Sequence, residues 1–302
     1  MFNKPQFWDK KISLISIILY PLSFLFFILS KFRKIVIRPI KFNIPIICVG
    51  NIYIGGTGKT PTSIFLAEEF FKKGKKPVIV RKYYKRHADE HDLIKENFSN
   101  LILCKNRKEG IQEAKKKLHD IVILDDGLQD YSIKKDLNIV CFNQNQLIGN
   151  GFLIPSGPLR ANLNSLNDAD IIIINGKKDE EFEKKILKIN INLKIFYSIY
   201  KPLNIDQFKN HKILALAGIA NPTNFFQLLE NNDLEIEKRL SFPDHHIFKK
   251  NEIQKIVEEA NNKNYQILMT EKDFFKIKEF NFKEIKYLKV SLEILEKERL
   301  IK

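Results

Sequence analysis

Cysteine is scarce in this sequence: Cys48, Cys104 and Cys141 are the only three in 302 residues. They lie far apart, each inside an apolar run, and an odd count without metal-ligand spacing excludes a disulfide framework. Buried free thiols in a reducing compartment, the cytoplasm, are the expectation. Histidine is also thin, and His211, His245 and His246 make no quartet with zinc-ligand spacing. Internal repeats and low-complexity tracts are absent, which excludes solenoids and disordered arrays. Arginine supplies only eight of the 51 basic residues, so the formal charge of +15 is carried by lysine. Such an excess points to an anionic partner, although Lys, Asn and Ile are all abundant here and part of it is compositional bias. No basic helix or aromatic platform accompanies it, so no nucleic acid is expected as partner.

What is present is enough for a sizeable core: 44% of residues are apolar, in a chain of one or two domains. Residues Ile12 to Ser30 run nineteen positions without a charge. As a helix that run is roughly 28 Å long, close to the thickness of a bilayer core. Pro21 sits inside it, which membrane helices tolerate. Lys31, Arg33, Lys34, Arg38 and Lys41 follow, and the positive-inside bias places this flank and the rest of the chain in the cytoplasm. No small-residue cleavage site follows, so a signal peptide is disfavoured. A helix spanning the bilayer and one lying on its face are both compatible with the pattern.

Beyond the anchor, apolar strand-like runs at 46–49, 77–81, 101–104, 121–125, 138–142, 170–174 and 195–199 alternate with helical patterns, notably 60–73 and 108–118. That alternation predicts an α/β fold with a mostly parallel sheet covered on both faces. A second αβ block begins near Lys212, with strands at 212–217 and 265–270 and helices near 222–230 and 249–260. Pro202 and the polar stretch to His211 read as a hinge. The expected division is residues 1–41 as anchor and basic flank, 42–205 as a P-loop domain and 206–302 as a smaller αβ domain.

The first strand runs directly into Tyr53-Ile54-Gly55-Gly56-Thr57-Gly58-Lys59-Thr60. GGTGKT opening a helix is a Walker A loop, whose glycines let backbone N–H groups face phosphate oxygens at a helix N-terminus. Lys59 is assigned to the β- and γ-phosphates of ATP and the Thr60 hydroxyl to Mg²⁺. Tyr53 replaces the first glycine of the consensus. A P-loop needs a carboxylate at the end of a neighbouring strand, and Ile121-Val122-Ile123-Leu124-Asp125-Asp126 supplies two, as candidate Mg²⁺ ligands. Arg160 is a candidate for gripping a phosphate or for a surface ion pair.

These residues resemble the tetraacyldisaccharide 4′-kinase (lipid A 4′-kinase) family over nearly the whole chain. The resemblance rests on the N-terminal apolar helix, VGNIYIGGTGKTP (49–61), LDDGLQD (124–130), GNGFLIPSGPLR (149–160), ALAGIANPTNFF (215–226), FPDHHIF (242–248) and MTEKD (269–273). It implies transfer of the ATP γ-phosphate to the 4′-hydroxyl of a tetraacyldisaccharide 1-phosphate, giving lipid IVA, at the cytoplasmic face of the inner membrane. It also implies a RecA-like P-loop domain and a smaller αβ domain that closes over the nucleotide. The family's catalytic Asp–His pair falls on Asp89, with Asp92 as the alternative, and on His245, with His246 beside it. The pair would accept the acceptor hydroxyl's proton, the base coming from the P-loop domain and the His from the second. Asp130 stands where the family has His, and Ala161 where it has Glu.

A P-loop also serves partition-type ATPases and GTPases, each with a signature of its own. A partition-type ATPase carries a Lys just before the Gly-Gly of the loop, where Ile54 stands here. A GTPase needs Asn-Lys-x-Asp after a strand, and Gly176-Lys177-Lys178-Asp179 lacks the Asn that would meet guanine.

Overall fold

Continuous apolar runs build the central strands. Ile46–Gly50 (β1), Ile121–Asp125 (β4) and Ile171–Asn175 (β6) are β-rich and buried almost throughout, the pattern of strands covered on both faces. The computed structural model describes residues 5–85, 88–244 and 246–301. Between and beyond these strands lie Pro77–Lys82 (β2), Leu101–Cys104 (β3), Leu137–Asn143 (β5), Lys194–Pro202 (β7) and Val290–Ile294 (β12). Together they form an eight-stranded sheet in the order β12-β7-β6-β5-β1-β4-β2-β3, parallel at every pairing from β3 to β7. Helices Lys59–Lys72 (α2), Arg107–Lys116 (α4) and Glu180–Leu187 (α5) connect strands of this sheet. Asn106 and Asp179 cap the last two through side-chain oxygens.

A second, four-stranded parallel sheet has the order β11-β10-β8-β9, from Ile213–Ala217 (β8), Ile236–Ser241 (β9), Gln266–Thr270 (β10) and Ile285–Leu288 (β11). Alternation along β8 sends Leu214 and Leu216 into one core cluster and Ile213, Ala215 and Ala217 into the other. Helices Pro222–Glu230 (α6), Lys250–Asn262 (α7) and Glu271–Ile277 (α8) accompany this sheet, and Lys297–Leu300 (α9) ends the described chain.

The chain divides into two units that are not contiguous in sequence. Among the described residues, one comprises 5–83, 98–199 and 293–301, and the other 84–97 and 200–292. The division at 205/206 expected from sequence therefore needs correction. Helix Ala88–Asn97 (α3) belongs with the second unit because it packs on α8, burying Ile94 and Asp89 there. Residues 293–301 return to the first unit, where the Leu295 N–H donates to the Tyr197 carbonyl and Lys73 reaches the Ile301 carbonyl.

Helix Leu14–Val36 (α1) inverts the usual amphipathic logic. Ser16 and Ser23, seven residues apart on one stripe, are its buried side chains. Ile18, Leu22, Leu25, Leu29 and Phe32 on the remaining surface are more than half exposed. Among the described residues α1 is the one helix long and apolar enough to cross a membrane. Small polar residues turned toward protein and large apolar ones turned outward are what a lipid environment selects.

Candidate active site

The nucleotide loop is built from a buried strand end and a helix start. Gly55, Gly56 and Gly58 all have φ between 54° and 85°, a region side chains disfavour, and Gly58 caps α2. Tyr53, in the consensus glycine's place, is 1% exposed and inserts into the core cluster between Ile52, Phe142 and Leu159. Burial of an aromatic ring thus pins the start of the loop, and the freedom lost with the consensus glycine falls to Gly55 and Gly56. Within the loop Asn51 Nδ2 donates to Thr57 Oγ1 at 2.8 Å.

Asp125 ends β4 fully buried, and Arg81, its register partner on β2, forms an ion pair with it. The Thr60 hydroxyl donates to Asp125 Oδ2 at 3.2 Å and Ser63 Oγ to Oδ1 at 3.0 Å. A buried carboxylate held by a guanidinium and two hydroxyls is a tight oxygen-donor set. Removing it by Asp125→Ala takes from the buried Arg81 the carboxylate it pairs with, and we expect a destabilisation of about 3–5 kcal/mol, read from denaturant unfolding.

Asp126 leaves the strand in the left-handed region, φ 54°, so the pleat no longer sets its direction. Arg160 Nη2 meets Asp126 Oδ1 at 2.8 Å while also donating to the Asn51 carbonyl at 3.1 Å. Arg160 thus forms a half-buried ion pair that ties the end of β4 to the nucleotide loop. Arg107 Nη2 donates to the Asp126 carbonyl at 2.7 Å, and its Nη1 reaches Asp130 at 3.4 Å. Burial alone would raise the Asp126 carboxyl, but Lys59, Arg160 and Arg81 outweigh it and hold it far below its ordinary value. Burial lowers the Lys59 ammonium, against the pull of Asp126. The same burial pushes the Cys48 thiol up to about 11 and that of Cys141 up to about 12, so both are inert neutral thiols.

A depressed carboxyl stabilises the fold above its unfolded value of 3.8, and that contribution is lost as pH falls toward the folded value. Arg160→Gln removes one of the groups depressing Asp126. Its thermal midpoint should fall less steeply than wild type's as pH drops below about 4, measured by circular dichroism.

The first unit also holds an open cavity of about 310 Å³ at the C-terminal end of α1, lined among others by Lys34, Lys134, Lys135, Leu128, Gln129 and Ala161. Gln129 Nε2 donates to the Asn51 carbonyl at 2.9 Å, which places this lining against the nucleotide loop.

In the second unit Asp89 is nearly buried, with Oδ2 at 3.7 Å from Lys272 and 3.8 Å from Lys276. Lys272 also meets Asp244 at 3.2 Å and Glu90 at 3.4 Å, and Lys276 meets Asp273 at 2.7 Å. Asp273 itself accepts from the Gly218 N–H and from Thr270 Oγ1. Asp89, expected from sequence on the P-loop domain, thus lies in the second unit. His245 lies outside the described residues. His246, its neighbour, is packed between Phe242 and Phe248 and engages Glu252 at 3.0 Å. Asp92 is exposed. Sequence reasoning missed Arg81, Ser63, Arg107, Lys272 and Lys276. The two lysines sit in or beside the MTEKD segment, and an arginine ending the apolar run Val78-Ile79-Val80 was the signal for Arg81.

Comparison with known proteins follows the same residues. A family model described as "Tetraacyldisaccharide-1-P 4'-kinase" matches residues 15–302. The chain is 40% identical to the tetraacyldisaccharide 4′-kinase of Pelagibacter ubique, over 99% of this chain and 96% of that one. It is 33% identical to that of Rickettsia akari (92% and 89% covered) and 31% identical to that of Haemophilus influenzae (97% and 93%). Among solved structures, Aquifex aeolicus LpxK in complex with ATP superposes with a TM-score of 0.73 at 23% identity, covering 95% of this chain and 98% of that one.

Proposed function

Because this chain belongs to the tetraacyldisaccharide-1-P 4′-kinase family, its activity is ATP-dependent phosphorylation of the 4′-hydroxyl of the lipid A precursor, and we propose a division of labour among its residues. The observation that carries the assignment is the glycine loop opening α2, with Lys59 and Thr60 facing the paired carboxylates at the end of β4.

Backbone N–H groups of residues 53–60 cradle the phosphates, and Lys59 neutralises the transferring group. The residues present suit Mg²⁺, since Thr60, Asp125 and Asp126 offer hard oxygen donors and a P-loop site needs only one or two carboxylates besides the phosphates. When bound, Mg²⁺ supplies charge neutralisation on the phosphoryl oxygens. Thr60 and Asp125 would hold it, with Asp126 beside them. Arg160 and Arg107 keep the turn carrying Asp126 in place. Asp89 accepts the proton of the attacking hydroxyl, and His245 orients or tunes it.

We further propose that α1 seats the enzyme on the cytoplasmic face of the inner membrane through its outward apolar surface and its basic flank. An anionic sugar phosphate held at that surface would approach the cavity beside Lys34, Lys134 and Lys135. The test is transfer of labelled γ-phosphate to the tetraacyldisaccharide 1-phosphate in detergent micelles. A single new bisphosphorylated lipid is expected. Its absence with full-length protein and Mg²⁺ sinks the proposal.

A further inference from the structure

The segment 149–160 touches α1 at one end and the nucleotide loop at the other. On the anchor side, Asn150 N donates to the Trp8 carbonyl at 3.1 Å and Trp8 Nε1 donates to the Pro155 carbonyl at 3.0 Å. Asn150 Nδ2 donates to Ser16 Oγ at 3.2 Å, and Tyr20 and Phe152 pack edge to face at 5.8 Å. Ser23 Oγ donates to the Leu153 carbonyl at 2.8 Å, lies 2.8 Å from Ser156 Oγ and accepts from Ser156 N at 3.0 Å. On the nucleotide side, Ile54 N donates to the Pro158 carbonyl at 2.9 Å and Arg160 N donates to the Ile52 carbonyl at 2.7 Å. Only Gly157 separates the residue held by the helix from the one held by the loop.

That short connection is stiff. Gly157 N bonds the Leu153 carbonyl at 2.9 Å, Ile154 N the Leu159 carbonyl at 3.0 Å and Leu159 N the Phe152 carbonyl at 3.1 Å. A Cβ at Gly157 would collide with Asn150 Oδ1 and sit 2.5 Å from the Phe152 carbonyl, so the turn has no slack. Ser16 and Ser23, on a helix whose other faces are apolar, and Ser156, on the loop, are all essentially buried. Three serine hydroxyls are not needed to hold a greasy helix in lipid, whereas they do fix its seat on this loop.

We propose that Ser23 and Ser156 are positioning residues for ATP: the seat of α1 on 149–160 sets the backbone of Ile52–Ile54, making the anchor a structural part of the nucleotide site. The proposal rests on reading 53–60 as the ATP loop. Ser23→Ala leaves the Ser156 N–H and hydroxyl without their partner, and the loop's hold on Ile54 loosens.

Full-length protein in detergent micelles is assayed for Mg-ATP binding by calorimetry and for kinetics with both substrates. In Ser23→Ala and in Ser23→Ala/Ser156→Ala, the Kd and KM for ATP should rise about fivefold or more. The KM for lipid and kcat at saturating ATP should stay near wild type, and the thermal midpoint should fall by only about 2–4 °C, too little to unfold the protein at the assay temperature. Ser23→Thr, which keeps the hydroxyl, should restore ATP affinity. Leu25→Asn, on the exposed face, should reduce partition into vesicles and leave the Kd unchanged. Wild-type affinity in both alanine variants overturns the proposal. So does a loss that comes with a larger fall in thermal midpoint, fails to recover with threonine or appears equally in Leu25→Asn. No ATP binding by wild type would instead overturn the assignment of the loop itself.

Discussion

Lys59→Ala will slow phosphoryl transfer by roughly 10³-fold while leaving the chain folded. Lys59 is the cation placed at the start of α2 within reach of the Asp126 carboxylate, and burial lowers its proton affinity. An ammonium in that setting is poorly hydrated, so its interaction with phosphate oxygens is strong and needs no reorganisation at the moment of transfer. Loss of a charge of this kind is expected to lower kcat by roughly 10³-fold. Folding should survive, because the Asp126 carboxylate keeps Arg160 at 2.8 Å and Asp125 keeps Arg81, Thr60 and Ser63. The measurements are single-turnover transfer of labelled phosphate and, alongside, thermal unfolding of the same preparation. A variant that retains a tenth of wild-type kcat would remove Lys59 from the chemistry.

The nucleotide half of this site was legible in the sequence because it is local. A buried strand and a glycine loop lead directly into a helix, and β4 announces itself as four apolar residues ended by two carboxylates. What escaped depends on neighbours distant in the chain. The Arg81–Asp125 pair exists because β2 and β4 lie side by side in register, which no spacing along the sequence reveals. Helix α3 (ADEHDLIKEN) is mostly charged, with Leu93 and Ile94 as its only large apolar residues, so its periodicity is faint. It folds onto α8, itself only seven residues long, from almost two hundred positions away. Strand β9 alternates half-buried and exposed side chains at the edge of its sheet and carries three charges, so it reads as loop. The apolar run of α1 was plain, but what its buried serines Ser16 and Ser23 do depends on the loop that binds them.

Replacing Asp89 tests the least local assignment. In Asp89→Asn the side chain keeps its shape, and each lysine facing it keeps other partners. Lys272 retains Asp244 and Glu90, and Lys276 retains Asp273 and the Gly218 carbonyl at 3.0 Å. The fold should therefore lose little, within about 1–2 kcal/mol, since no buried charge is left alone. Activity should fall far more, by roughly 10²–10⁴-fold in kcat, because an amide cannot accept the hydroxyl's proton. The KM for ATP should not move, since the nucleotide loop keeps all its contacts. That combination separates a base from a mere ion-pair partner of Lys272 and Lys276: a partner's loss would appear in the unfolding midpoint with kcat spared. If Asp89→Asn turns over at the wild-type rate, the proton must go to another carboxylate, and exposed Asp92, one turn along the same helix, is the next to be replaced.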